Sequence, residues 1–198
     1  FRELVMYIQD DVRLTRHKKS SGSAFNLRVE PVRGREGDPS DWFNSLIHGD
    51  PDTPVFNAYL GDPVVVRALV GGTNEAHTWK LNGHWFRRER FSLDSQPTNA
   101  IHLDISERFN LVIPAAGGPQ QMPGDYLFYN GRLFKLREGS WGIFRVHGPD
   151  SETGLLALPG RETTPAPAAS VCPPSAPLKT FDVVAMRASL PMLGRTPG

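Results

Sequence analysis

Apolar and polar residues alternate with a period of two in short segments along this chain, and Gly, Pro, Asn or Asp closes most of them. Val64, Val66, Ala68 and Val70 fall on one face and Arg67 on the other, between Gly61-Asp62-Pro63 and Gly71-Gly72; this predicts a half-buried strand. The same pattern predicts strands over Leu4–Ile8, closed by Asp10 and Asp11, and over Phe25–Val32. Further strands are expected within His77–Phe86, Ile105–Ile113, Tyr126–Tyr129 and Trp141–Val146. Asn82-Gly83 interrupts the run from His77 and predicts a tight turn or bulge there. Between Gly34 and Pro54 lies an irregular excursion with two aromatics, Trp42 and Phe43, and one expected helical turn over Ser40–Leu46 capped by Ser40. No segment sustains a helical period over three turns, so the expected class is all-β, a sandwich of antiparallel strands.

Composition sharpens this. Nineteen Gly and 18 Pro are spread along the 198 residues, as many short elements joined by turns require. From Gly148 to Pro177 the chain becomes rich in Pro and Ala with little to bury, and reads as a stiff linker; Lys179–Ala185 then alternates again. The expected organisation is a β-sandwich over 1–148, a linker over 149–177, and over 178–198 the first strand of a following domain. The absence of an initiator Met at Phe1 suits a piece of a longer protein. A net charge of +1 leaves no global field for nucleic acid, and no apolar run approaches the roughly 20 residues that span a bilayer. The single cysteine, Cys172, can form neither an internal disulfide nor a thiolate zinc site by itself.

Six histidines are present, and only His77 and His84 lie close together in strand-like sequence. Their odd spacing points them to opposite faces of a regular strand, unless a bulge at Asn82-Gly83 resets the alternation. The run His77-Thr78-Trp79-Lys80-Leu81-Asn82-Gly83-His84-Trp85 is preceded by Gly61-Asp62-Pro63-Val64. It is followed by Pro123-Gly124-Asp125-Tyr126-Leu127-Phe128-Tyr129 and by Gly139-Ser140-Trp141-Gly142-Ile143-Phe144-Arg145-Val146. In this order the motifs resemble a cupredoxin domain of a multi-domain bacterial multicopper oxidase, of the manganese-oxidase kind, across about Phe25–His147. The resemblance implies a Greek-key β-sandwich, neighbouring cupredoxin domains of the same chain as partners, and an extracytoplasmic or secreted parent. That parent would use copper to oxidise a metal ion or phenolic substrate while reducing dioxygen to water.

Most copper ligands implied by the resemblance are missing. Where the family has His-x-x-His-x-His-Gly-His, this chain has His77, Lys80, Asn82 and His84; where it has His-Cys-His, this chain has Tyr129, Asn130 and Gly131. His77 and His84 remain as candidate metal ligands, the remnant of a copper motif, and no copper is expected in this domain, since ammonium and amide groups are poor copper donors. The expected role is architectural. A non-catalytic module that binds a glycan or protein partner through Trp79, Trp85 and Trp141 is the alternative. A mononuclear site using His77 and His84 with His48 or His147, and an acidic entry site made by Asp38, Asp41, Asp50 and Asp52, are lesser candidates. Arg87-Arg88-Glu89-Arg90 is expected to be a solvated strand end or a domain contact.

Overall fold

A computed structural model describes residues 1–13, 21–149, 151, 153–161, 177 and 180. Cys172, the expected strand over Lys179–Ala185 apart from Thr180, and most of the expected linker lie outside the described residues. Among the described residues, eleven strands form three sheets. One sheet has the order β2-β1-β4-β9, made of Ser21–Phe25, Arg2–Arg13, Val64–Val70 and Arg108–Ile113. The facing sheet has the order β3-β11-β10-β5-β8, made of Val55–Tyr59, Trp141–His147, Gly124–Asn130, His77–Leu81 and Ala100–Leu103. A two-stranded ribbon pairs β6, Phe86–Arg87, with β7, Pro97–Thr98. Most pairs are antiparallel, but β1 runs parallel to β4 and β3 parallel to β11, which is how a sandwich closes when strands return by long connections.

The core lies between the two larger sheets because each strand keeps its alternation. Met6 and Ile8 of β1, Val64, Val66 and Ala68 of β4, and Leu111 and Ile113 of β9 face Trp79 and Leu81 of β5, Phe128 of β10 and Phe144 of β11. Phe128 sits at the centre, stacked on Phe56 at 5.2 Å and tilted against Phe25 at 5.5 Å. Gly142 makes room for it: a Cβ there would collide with the Phe128 ring and with the Pro54 carbonyl. The other face of the five-stranded sheet carries a second cluster, with Trp141 fully buried under Val32, Trp42 and Phe43 from the excursion. Trp141 is therefore core, but outside the sandwich interior.

Several elements differ from the sequence expectation. Strand β1 extends to Arg13, past a register break between Gln9 and Val12 where Asp11 takes a positive φ. The expected strand over Phe25–Val32 is displaced upstream to β2, since Asn26 and Leu27 take left-handed conformations that end it. In the excursion Asp38, not Ser40, accepts from the first turn, and the helical residues split into a 3-10 turn at Pro39–Asp41 and a short helix α1, Ser45–His48, capped by Asn44. The expected turn at Asn82-Gly83 is present and ends β5, with Gly83 at φ +69°. A second helix, α2, Leu133–Glu138, connects β10 to β11. Residues beyond the sandwich are tied back to it: Tyr59 Oη donates to the Leu155 carbonyl at 3.0 Å and Arg2 to that of Leu156 at 2.8 Å.

Candidate functional site

The end of the sandwich at α2 holds a buried polar cluster, and strand alternation puts it there. Asp10 follows Met6 and Ile8 on the inward face of β1, and His77 precedes Trp79 and Leu81 on the inward face of β5. Asn130 ends β10 beside them. The chain then turns into α2, where Lys135 points back under the sheet, and leaves through Gly139 at φ +119°. Any Cβ on Gly139 would lie 2.8 Å from the Glu30 backbone nitrogen, so this exit requires glycine on both counts. Ser140 next donates its hydroxyl to the Ser23 carbonyl at 2.6 Å, fixing the start of β11 to β2.

Lys135 Nζ donates to both oxygens of Asp10, each at 2.9 Å, and the two residues are 4% and 6% exposed. The Asn74 backbone N–H donates to the same carboxylate at 3.2 Å. Burial pushes the Asp10 pKa up, but the hydrogen bond from Lys135, the Ser23 hydroxyl and the charge on Lys135 outweigh it and hold the carboxyl below its ordinary value. His77 Nε2 lies 3.4 Å from Asp10 Oδ2. Burial, reinforced by the charge on Lys135, lowers the His77 pKa to about 4, so its imidazole is neutral at pH 7.

The tautomer of each candidate imidazole follows from its partners. Asn130 Oδ1 accepts from the Arg132 backbone N–H at 3.1 Å, so the amide NH₂ of Asn130 is what faces His77 Nδ1 at 2.6 Å. His77 Nδ1 is the acceptor, and its proton sits on Nε2, toward Asp10. For His84 the order is reversed. The Gly117 backbone N–H donates to Nε2 at 2.9 Å, and Nδ1 donates to the Asn82 carbonyl at 3.0 Å. Burial lowers the His84 pKa as well, and its ring packs edge-on against Tyr126 and Phe144. Each imidazole thus directs its one lone pair at an N–H of the protein.

The structure brings His77 together with Asn130 and holds His84 apart. His77 meets the last residue of β10 and His84 meets Tyr126, four residues earlier, a separation of about 13 Å along a strand. His147 is hydrogen-bonded to Asn57 Oδ1 at 2.9 Å. Lys80 lies over the Tyr129 ring at 5.7 Å, on the face away from His77. Among the described residues, no three His, Cys, Asp or Glu side chains are grouped so as to hold a metal ion. Copper does not fit the donor set around His77: one imidazole whose lone pair is engaged, an amide, and a carboxylate claimed by an ammonium, with no thiolate among the described residues.

Two of the four acidic candidates sit in ordinary contacts. Asp50 is bidentate on Arg145, at 2.6 and 2.9 Å, and hydrogen bonds from Arg145 hold its carboxyl low. Asp38 caps the 3-10 turn through the Ser40 backbone N–H. Trp79 and Trp141 are buried, so of the three tryptophans proposed as a ligand face only Trp85, 49% exposed, is available. Sequence reasoning missed Asp10 and Lys135. The signal for Asp10 was present, a carboxylate in step with Met6 and Ile8 on an inward face; the six residues of α2 offered no comparable sign for Lys135.

No protein-family model matches the chain, and no curated protein sequence matches it. Solved structures do resemble it. Fet3p, a multicopper oxidase that functions in iron import, superimposes with a TM-score of 0.51 at 16% identity, over 73% of this chain and 31% of that one. A copper-containing nitrite reductase from Thermus scotoductus gives 0.50 at 16%, over 74% and 31%. The McoA multicopper oxidase of the hyperthermophile Aquifex aeolicus gives 0.50 at 16%, over 74% and 29%. The chain therefore spans about a third of the length of each of these proteins. With its two facing sheets and their strand order, the chain has the cupredoxin-like β-sandwich fold of copper oxidases and copper nitrite reductases.

Proposed function

We propose that this chain is a metal-free structural cupredoxin domain of a larger multicopper oxidase. The engagement of both candidate imidazole lone pairs by protein N–H groups, next to a lysine that occupies the loop end of the sandwich, carries this reading. The domain holds its neighbours in register, and copper resides in other domains of the parent, which oxidise a metal ion or a phenolic substrate with reduction of dioxygen to water. The motif order from Gly61-Asp62-Pro63 to Trp141–Val146 favours the oxidase of manganese-oxidase kind and an extracytoplasmic parent. His77 and His84 serve the fold, one tying β5 to the end of β10 and the other tying the Asn82-Gly83 turn to Gly117.

The full reading frame that encodes this segment tests the proposal. It is expected to carry His-Cys-His with a following Met outside these residues, and the purified full-length product is expected to hold the same copper per chain after His77→Ala as before. Flanks of adhesive or carbohydrate-active type, or loss of a copper equivalent in that variant, contradict it.

A further inference from the structure

The loop that follows β6, Arg88–Ser92, faces β9 across a cleft of about 650 Å³. Three guanidiniums line it, those of Arg88 and Arg90 from the loop and Arg108 from β9, against the single carboxylate of Glu89. None of the three arginines is in an ion pair among the described residues. Two are laid on aromatic rings instead, Arg88 over Phe109 at 5.4 Å and Arg90 over Phe91 at 4.1 Å, and Phe91 itself is 86% exposed. In a chain with a net charge of +1 this is a local excess of cations, two of them ordered by cation-π contacts, with Glu89 the one carboxylate in the lining.

The second wall of the cleft is a sheet edge. β9 ends the four-stranded sheet, with β4 its one ladder partner among the described residues, and β6 packs alongside it without joining the ladder. The Val70 N–H donates to the Glu107 carbonyl at 3.0 Å, and bonded pairs alternate along an antiparallel ladder. Phe109 and Leu111 therefore exchange bonds with Ala68 and Val66, while the N–H and C=O of Arg108 and Asn110 point away from β4, toward the cleft, and bond no strand among the described residues.

We propose that this cleft binds an extended acidic peptide segment of a partner protein, laid along β9. Its carboxylates meet Arg88, Arg90 and Arg108, and its backbone meets the outward groups of Arg108 and Asn110. A sulfated glycan or a nucleic acid satisfies the guanidiniums but not the strand edge; a peptide satisfies both.

The test uses the 198-residue chain and a short labelled peptide of alternating Glu and Val, with fluorescence anisotropy as readout. The peptide is expected to bind, and Arg90→Glu/Arg108→Glu is expected to weaken it by roughly tenfold or more. Both side chains are exposed, so the variant should keep the parent's circular dichroism and unfolding midpoint. On the unaltered protein, N-methylation of alternate backbone nitrogens of the peptide is expected to abolish binding, and heparin is expected to compete poorly. No binding, equal binding by the charge-reversed variant, indifference to N-methylation, or heparin competing as well as the peptide each overturn the proposal, the last by marking a general polyanion surface.

Discussion

Lys135→Met is expected to destabilise the protein by about 3–5 kcal/mol, read as a lower urea midpoint at pH 7. Methionine keeps the length and apolar stem of lysine, so little packing is lost. What is lost is the only side-chain cation within hydrogen-bond distance of Asp10 among the described residues, leaving a 6%-exposed carboxylate with the Asn74 backbone N–H, the Ser23 hydroxyl and a neutral imidazole. The double variant Asp10→Leu/Lys135→Met is expected to recover most of that loss, because removing both members of a buried ion pair also removes the desolvation cost of each. If Lys135→Met costs under about 1 kcal/mol, the pair is behaving as a solvated surface bridge and does not fasten α2 to β1.

Stability is expected to fall as pH falls from about 6.5 to about 4, by on the order of 3 kcal/mol from His77 alone. The folded imidazole titrates at about 4 and an unfolded one near 6.5. Between those values the unfolded chain binds a proton that the folded chain refuses, so acid pulls toward unfolding, and above that window the contribution is constant. Asp10 acts in the same direction at lower pH. Its carboxyl is held below 3.8 in the fold, so its stabilisation is present above that value and is lost as pH drops through the folded pKa. Replacing His77 with Gln is expected to flatten the slope of unfolding free energy against pH, although His84 and His147, also lowered by burial, retain part of it. Unfolding free energy that stays level or rises on acidification through this range contradicts the buried neutral assignment.

How much of this the sequence carried depends on the range of the interaction that decides each feature. β4, β9 and β11 were legible because period-two alternation bounded by glycine and proline is local. The turn at Asn82-Gly83 was legible for the same reason. β8 escaped notice because four residues, Ala100–Leu103, carry too little alternation, and β3 because it begins directly after the irregular stretch ending at Pro54. Helix α2 lacks a readable period at six residues, and it is held by what lies under it more than by propensity. The site was half legible. His77 and Asn130 were singled out as positions where the family's ligands are implied, and they do meet, 53 residues apart in sequence. The Asp10–Lys135 pair spans 125 residues, and nothing local announces such a partner.

The central claim is that two buried imidazoles spend their lone pairs on protein N–H groups and leave none for a metal. Long-range ¹H–¹⁵N correlation spectra of the histidine side chains test it directly. The account predicts His77 as the neutral Nε2–H tautomer and His84 as the neutral Nδ1–H tautomer at pH 7, both unshifted and unbroadened by one equivalent of cuprous or cupric ion. Either ring in the opposite tautomer, or either resonance displaced or erased by copper and restored by a chelator, contradicts it.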